Sequence, residues 1–425
     1  MTSRTPGPTW QQCLACGDVL TRADPHTRCD CGGLLDLHHQ PPGTRGQALR
    51  DMLDRRRADP GSWPSGVWRY AELVLPGAPE MVTHPEGNTP LLTRARIAAW
   101  AGVSHLELKH EGHNPTGSFK DRGMTVGITQ AGWLRAPAVG CASTGNTSAS
   151  LAAYAAQAGI PAVVLVPAGK VALGKLAQAL ACGARTLLVR ADFDRCLSLI
   201  QEAERELGLY LLNSVNPFRV EGQKTIVFEL LQQRGWRAPD WIVFPGGNLG
   251  NTAAFGKALI EARELGLIDR LPRLGVVQAS GAAPFAAAFA EGFVRRREVK
   301  AETMATAIRI GNPASWDRAV RAVRETNGVV TSVSDDEILD AKLAIDAAGV
   351  GCEPASAAGV AGIRKLVGEA VIGRDDDVVA VLTGHLLKDP EILIRMHRTT
   401  DRGANAPVEI EPSLRELERA IRGSA

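Results

Sequence analysis

The sequence predicts an α/β fold built on parallel sheets, and two observations carry that reading. Short runs rich in Val, Ile and Leu recur along the chain: Ala162–Pro167 (AVVLVP), Thr186–Arg190 (TLLVR), Trp241–Pro245 (WIVFP), Leu274–Ser280 (LGVVQAS) and Val378–Gly384 (VVAVLTG). Strands of a parallel sheet are covered on both faces and read as such continuous apolar runs. Helical stretches lie between them, and alternating strands and helices define the α/β class. The clearest helix is Asn146–Gly159 (NTSASLAAYAAQAG). It is Ala-rich, opens with hydroxyl residues suited to an N-cap, and ends at Gly159 with Pro161 two residues on.

The 425 residues correspond to two or three domain-sized units. Apolar residues make up 45% and charged residues 22%, an ordinary globular balance. Lys plus Arg (48) nearly match Asp plus Glu (46), which argues against a broadly basic nucleic-acid-binding surface. No apolar run reaches the ~18 residues of a membrane span. The opening MTSRTPGPTWQQC lacks the apolar core of a signal peptide, so a cytoplasmic location is expected. There the eight cysteines serve as thiols or metal ligands more readily than as disulfides.

Four of those cysteines cluster early: Cys13-x2-Cys16, then Cys29-x-Cys31 followed by Gly32-Gly33. The pattern is that of a zinc ribbon whose second knuckle is one residue short. Either the four thiolates close a tetrahedral zinc site, or the ribbon has lost its metal; both readings make residues 1–45 structural. At the other end, residues 401–425 form a tail with an exposed helix, in which Ser413 and Glu416 make a capping box and Leu414, Leu417 and Ile421 share a face.

In open α/β sheets ligands collect at the carboxyl ends of strands. Three strand ends carry unusual loops: Ser143-Thr144-Gly145-Asn146-Thr147 after AVGCA, Gly246-Gly247-Asn248-Leu249-Gly250-Asn251 after WIVFP, and Thr383-Gly384-His385 after VVAVL. The second loop can turn several backbone N–H groups toward one point at a helix N-terminus, as a phosphate cradle does. It matches neither a Walker loop nor the dinucleotide pattern, and a plain glycine-rich turn is the simpler alternative. One lysine, Lys120, sits in PTGSFKDRGM (Pro115–Met124) between Phe119 and Asp121-Arg122. Alone it would be read as a solvated surface lysine. A phosphate cradle together with a loop lysine points to a cofactor with one phosphate and one aldehyde, pyridoxal phosphate, to which a lysine amine bonds as a Schiff base.

The motifs EGNTPLL (Glu86–Leu92), LKHEGHNPTGSFKDRGM (Leu108–Met124), GCASTGNTSASLAAYAAQAGIPA (Gly140–Ala162), NPFRVEGQKT (Asn216–Thr225), PGGNLGN (Pro245–Asn251) and CEPASAAGVAG (Cys352–Gly362) occur in order. Over roughly residues 10 to 395 the chain resembles the threonine synthases, pyridoxal-phosphate enzymes of fold type II. The resemblance implies two open parallel-sheet lobes with the active site between them over 46–400, the smaller lobe inserted at roughly 125–215. It implies conversion of O-phospho-L-homoserine and water to L-threonine and phosphate, an amino-acid phosphate substrate and a homodimer. Carried over position by position, Lys120 holds the cofactor covalently and shuttles protons, Asn146 bonds the ring hydroxyl, Gly247, Asn248, Leu249, Gly250 and Asn251 bind its phosphate, and Thr383 faces the ring nitrogen. Ser143, Thr144 and Thr147 lie where the family holds the substrate carboxylate or phosphate; Asn213 and Arg219 match the substrate-phosphate side. A hydroxyl at Thr383, unlike a carboxylate, does not force the ring nitrogen to stay protonated. The chain departs from the family in TGHLLK, where Leu386 replaces the glycine of the usual TGHGLK beside the ring. A related fold-type-II enzyme acting on another amino acid, by β-replacement or in natural-product synthesis, is the alternative this leaves open.

Overall fold

The computed structural model describes residues 7–59, 61–78, 80–169, 173–399 and 405–422. The chain divides into two compact units, Met1–Lys388 and Asp389–Ala425. In the first unit, strands β1 (Thr9–Cys13), β2 (Val19–Thr21) and β3 (Leu35–His39) form an antiparallel sheet in the order β2-β1-β3. A six-stranded sheet follows, made of β4 (Leu91–Thr93), β5 (His105–His110), β10 (Trp241–Pro245), β11 (Arg273–Ala279), β12 (Val329–Val333) and β13 (Asp377–Leu382). Its order is β12-β11-β10-β13-β5-β4, parallel except for the edge strand β4. The third sheet joins β6 (Val139–Ala142), β7 (Ala162–Pro167), β8 (Arg185–Val189) and β9 (Tyr210–Leu211) in the order β8-β7-β6-β9, all parallel.

The strand runs expected from composition are all strands, with ends displaced by at most two residues. One differs in burial. Leu187 and Leu188 in β8 are 44% and 58% exposed, because β8 is the edge of its sheet and has a neighbour on one side only. The helix Asn146–Ala158 also differs at its start: its N-cap is Gly145, with no side-chain cap, while Ser148 Oγ donates to Gly145 O at 2.8 Å and Ser150 Oγ to Asp121 Oδ1 at 2.6 Å. Its end is as expected, Gly159 adopting the left-handed conformation (φ 65°).

Two long helices set the frame of the site. Helix Lys120–Trp133 packs against helix Pro217–Gln233, and both are almost wholly buried. The contact is close because Gly222 sits on the backbone carbonyl of Arg122; any β-carbon there would collide with it. Asn216 caps the second helix, its side chain accepting from the N–H groups of Phe218 and Arg219, with Pro217 at the first helical position. In the second unit, helix Leu414–Arg422 starts with Ser413 Oγ accepting from Glu416 N at 3.3 Å.

Candidate active site

Three adjacent strands of the large sheet, β10, β13 and β5, lead into the 246–251 loop, Thr383 and Lys120, while the loops after β6 and β9 of the other sheet carry Ser143 to Thr147 and Asn213. After β5 the chain passes through a short turn, Glu111–His113, into the loop before Lys120, the first residue of its helix. That loop is stitched to the end of β13: Ser118 bridges Gly384, Phe119 N donates to Thr383 O at 3.0 Å, and His385 N donates to Gly117 O at 2.9 Å. Lys120 is thereby fixed beside Thr383. Its ammonium lies 4.2 Å from the centroid of the Phe119 ring. Burial, and then the nearby Arg219 cation, bring its pKa down to about 7, with Glu353 acting in the opposite direction. A lysine so poised reaches the neutral form, which a nucleophile and a base both require, far more readily than a solvated one.

The loop after β10 leads into helix Gly250–Glu264. Leu249, its N-cap, is held at φ 62° and ψ 14° with its side chain buried. A non-glycine residue in that region costs on the order of 1–3 kcal/mol and is tolerated where the surroundings over-determine it. Here Asn248 anchors the loop: its Oδ1 accepts from Ala314 N and its carbonyl from Ser315 N, both at 3.2 Å. A β-carbon at Gly247 would lie 3.2 Å from Ala307 O and Ile308 Cα, a tight approach that favours glycine in the turn. The Thr252 hydroxyl, fully buried at the helix start, and Asn251 Oδ1 have no hydrogen-bond partner. An unspent hydroxyl at a helix N-terminus beside a glycine turn fits a phosphate group.

Thr383 is nearly buried, and its Oγ1 meets Ser356 Oγ at 2.9 Å and Glu353 Oε1 at 3.1 Å. Glu353 is the N-cap of helix Pro354–Gly368, and its other oxygen accepts from Asn146 Nδ2 at 2.9 Å. This one carboxylate therefore joins the end of β13 to the loop after β6. Ser143, Thr144 and Asn146 are half-buried there and Thr147 is buried; Ser143 Oγ accepts from Gly145 N at 3.3 Å. Asn213 pairs with the end of β6, its amide exchanging two 3.0 Å bonds with the backbone of Ala142. Arg219 is fully buried. One nitrogen donates to Leu212 O at 3.1 Å, while Nε and Nη2 have no partner. Burial lowers its pKa to about 10. A buried guanidinium with two unspent donors calls for an anion. Leu386 packs on Gly351, two residues before Glu353.

Glu353 and Ser356 were not singled out from the sequence, although both lie in the quoted CEPASAAGVAG motif. Glu353-Pro354 was readable as a helix start; its partner Asn146, 207 residues away, was not. A charged cluster under the site was also unread. Glu229 is fully buried and accepts from Lys109 Nζ (2.6 Å), Arg122 Nη2 (2.8 Å), Arg69 Nη2 (3.2 Å) and the backbone of Asn88 and Thr89. Arg122 also forks onto Glu111, at 2.6 and 2.8 Å. Arg122 stands two residues after Lys120, so this cluster fixes the first turn of the lysine's helix.

In the N-terminal sheet, one sulfur from each of Cys13, Cys16, Cys29 and Cys31 lies within 4.8 Å of all the others. The short second knuckle closes because Gly32 takes φ 84° and donates to Cys29 O at 2.7 Å. Burial raises the Cys13 pKa, but the backbone N–H groups of Cys16 and Ala15 outweigh it and bring the thiol down to about 6. No described helix is long and apolar enough to cross a membrane.

The fold and the lysine–cradle–hydroxyl arrangement define a class. Residues 82–384 match the model of the pyridoxal-phosphate dependent enzymes. Among solved structures, threonine synthase from Escherichia coli superposes with a TM-score of 0.72 over 97% of this chain and 94% of its own, at 19% identity. Maize serine racemase superposes at 0.64 over 82% and 96%, at 21% identity. Two archaeal relatives narrow the class. Threonine synthase of Methanosarcina acetivorans is 46% identical, covering 97% of this chain and 99% of its own length. That of Methanocaldococcus jannaschii is 43% identical over the same shares. The chain belongs to the pyridoxal-phosphate dependent enzymes, within their threonine synthase family.

Proposed function

We infer that this protein is a threonine synthase, a carbon–oxygen lyase that converts O-phospho-L-homoserine and water to L-threonine and phosphate. The observation that carries the reading is the convergence of Lys120, Thr383 and the 246–251 cradle on three neighbouring strand ends, with the buried Arg219 beside Lys120. Pyridoxal phosphate, when bound, supplies an aldehyde that takes up an amine and a ring that draws electrons from the attached carbon. Gly247 to Asn251 would hold its phosphate, Asn146 its ring hydroxyl and Thr383 its ring nitrogen.

The remaining work falls to the side chains. Lys120 holds the cofactor between turnovers. Its neutral Nζ would take the Cα proton, pass it on, and then take one proton from Cβ, with Cα regaining a proton at the end of the reaction. The bond between Cγ and the phosphate oxygen would break with phosphate as the leaving group, Cγ would gain a proton, and the hydroxyl of a water would join Cβ while that water's other proton goes to the departing phosphate. Arg219, with Asn213, receives the substrate phosphate, its two unspent donors forming a fork on the anion. Ser143, Thr144 and Thr147 hold the substrate carboxylate or share its phosphate. We also propose a cytoplasmic homodimer, on the resemblance to the family.

The test is to incubate the purified protein with O-phosphohomoserine and measure phosphate and amino acid together. Threonine and phosphate in equal amounts are expected; a different amino acid, or no phosphate, would move the reading to another fold-type-II reaction. Arg219→Ala is expected to raise KM by up to ~3 kcal/mol of lost charge-assisted bonding, with cofactor absorbance unchanged. Unaltered kinetics would place the substrate phosphate elsewhere.

For the cysteine cluster we propose a structural zinc site. Four sulfurs at mutual contact on two glycine-bearing turns suit a closed tetrahedral centre. Metal analysis should find about one zinc per chain, and chelation should lower thermal stability with cofactor absorbance intact. Metal-free protein of unchanged stability would contradict this.

A further inference from the structure

Thr383 has one proton to give, and the hydrogen bonds around it determine where that proton goes. Ser356 Oγ accepts from the backbone N–H of Thr383 at 2.8 Å and of Gly384 at 3.0 Å. A hydroxyl has two acceptor sites and one donor, so both acceptor sites are used. The 2.9 Å contact between Ser356 Oγ and Thr383 Oγ1 must then be a donation from Ser356 to Thr383. The Thr383 hydrogen turns to its other neighbour, Glu353 Oε1, at 3.1 Å. The chain of donation runs from the Thr383 and Gly384 amides through Ser356 and Thr383 to Glu353, with Asn146 Nδ2 donating into the far carboxylate oxygen.

The direction depends on Glu353 being charged. The titratable groups that face it include the amine of Lys120, the ammonium of Lys388 and the thiol of Cys352. The Lys388 cation and the 2.9 Å donation from Asn146 Nδ2 favour the carboxylate form. Glu353 is 2% exposed, and no β-carbon fits at Gly384, because it would run into this carboxylate. The carboxylate is therefore held in place as the end of the relay.

We propose that Glu353 is a positioning residue that, by taking the only proton of Thr383, leaves that hydroxyl able only to accept, so that a ring nitrogen seated against it is held in its protonated form. A threonine alone would leave the nitrogen free to be neutral. Threonine with Glu353 and Ser356 behind it acts on the nitrogen as a relayed carboxylate. The inference rests on pyridoxal phosphate binding at this site. It would make the ring a stronger electron sink than the identity of residue 383 suggests.

The test is nitrogen-15 NMR of holoenzyme loaded with cofactor labelled at the ring nitrogen, at mildly alkaline pH, in wild type and in Glu353→Ala. The wild-type resonance is expected at the protonated position, and the variant's at the free-base position, since Thr383 then turns its proton to the ring. A free-base resonance in wild type overturns the proposal, as does a protonated one in Glu353→Ala. Should the variant fail to retain cofactor, the wild-type resonance alone decides in the same way. Wild-type protein that does not bind the cofactor would instead overturn the functional reading on which this rests.

Discussion

Replacing Lys120 by alanine is expected to lower turnover by about 10^3-fold, the scale on which a positioned proton-transfer group acts, and to abolish covalent capture of the cofactor. Borohydride reduction of the wild type should attach the cofactor irreversibly to Lys120, and reduction of the variant should attach it to no residue. The expectation follows from geometry as well as residue type. Lys120 is the first residue of its helix, its loop is bound to Thr383-Gly384-His385 by backbone hydrogen bonds, and burial with the Arg219 cation holds its pKa near 7. A reduced adduct on another lysine in the wild type would contradict the assignment.

Glu229→Ala is expected to be the most destabilising single change near the site, by about 3–5 kcal/mol. Removing this carboxylate leaves Lys109, Arg122 and Arg69 buried together without their shared counter-ion. Burial alone would raise the pKa of Glu229, but Arg122 and Lys109 outweigh it and hold the carboxyl far below the usual carboxylate range. A depressed folded-state pKa means that its contribution is complete above about pH 4.3, the unfolded carboxylate value, and is lost as pH falls toward the folded value. Wild-type stability should therefore fall in acid partly through this group, and the variant should show less of that fall. Denaturant unfolding at neutral and acid pH measures both effects. A variant within 1 kcal/mol of wild type at neutral pH would show that the cluster does not brace the helix of Lys120.

Much of this was legible in the sequence, and what was not has physical reasons. Apolar runs such as WIVFP and AVVLVP read directly as buried strands because a parallel sheet leaves no room for alternation. TLLVR read the same way, yet forms an exposed edge, since strand order is decided by tertiary pairing. Lys120, Asn146, Thr383 and the 246–251 loop could be named because each stands in a local motif. Their roles follow from the resemblance. Glu353, Ser356 and Glu229 escaped notice because their significance lies in partners far along the chain: Glu353 meets Asn146 and Thr383, and Glu229 meets residues 69, 88, 89, 109 and 122. No local pattern distinguishes a glutamate that will gather three buried cations from one that will face water. The hydroxyls at the start of helix Asn146–Ala158 misled in the opposite way, since their residue types suit a cap that Gly145 supplies.

Breakage of the carbon–oxygen bond at Cγ, with delivery of water to Cβ, is what sets the proposed reaction apart from simple phosphate hydrolysis. Running the reaction on O-phosphohomoserine in water enriched in oxygen-18, with mass analysis of both products, tests it most directly. One heavy oxygen is expected in the hydroxyl of threonine and none in the released phosphate. Heavy oxygen in the phosphate, with homoserine as the organic product, would mean cleavage at phosphorus and would contradict it.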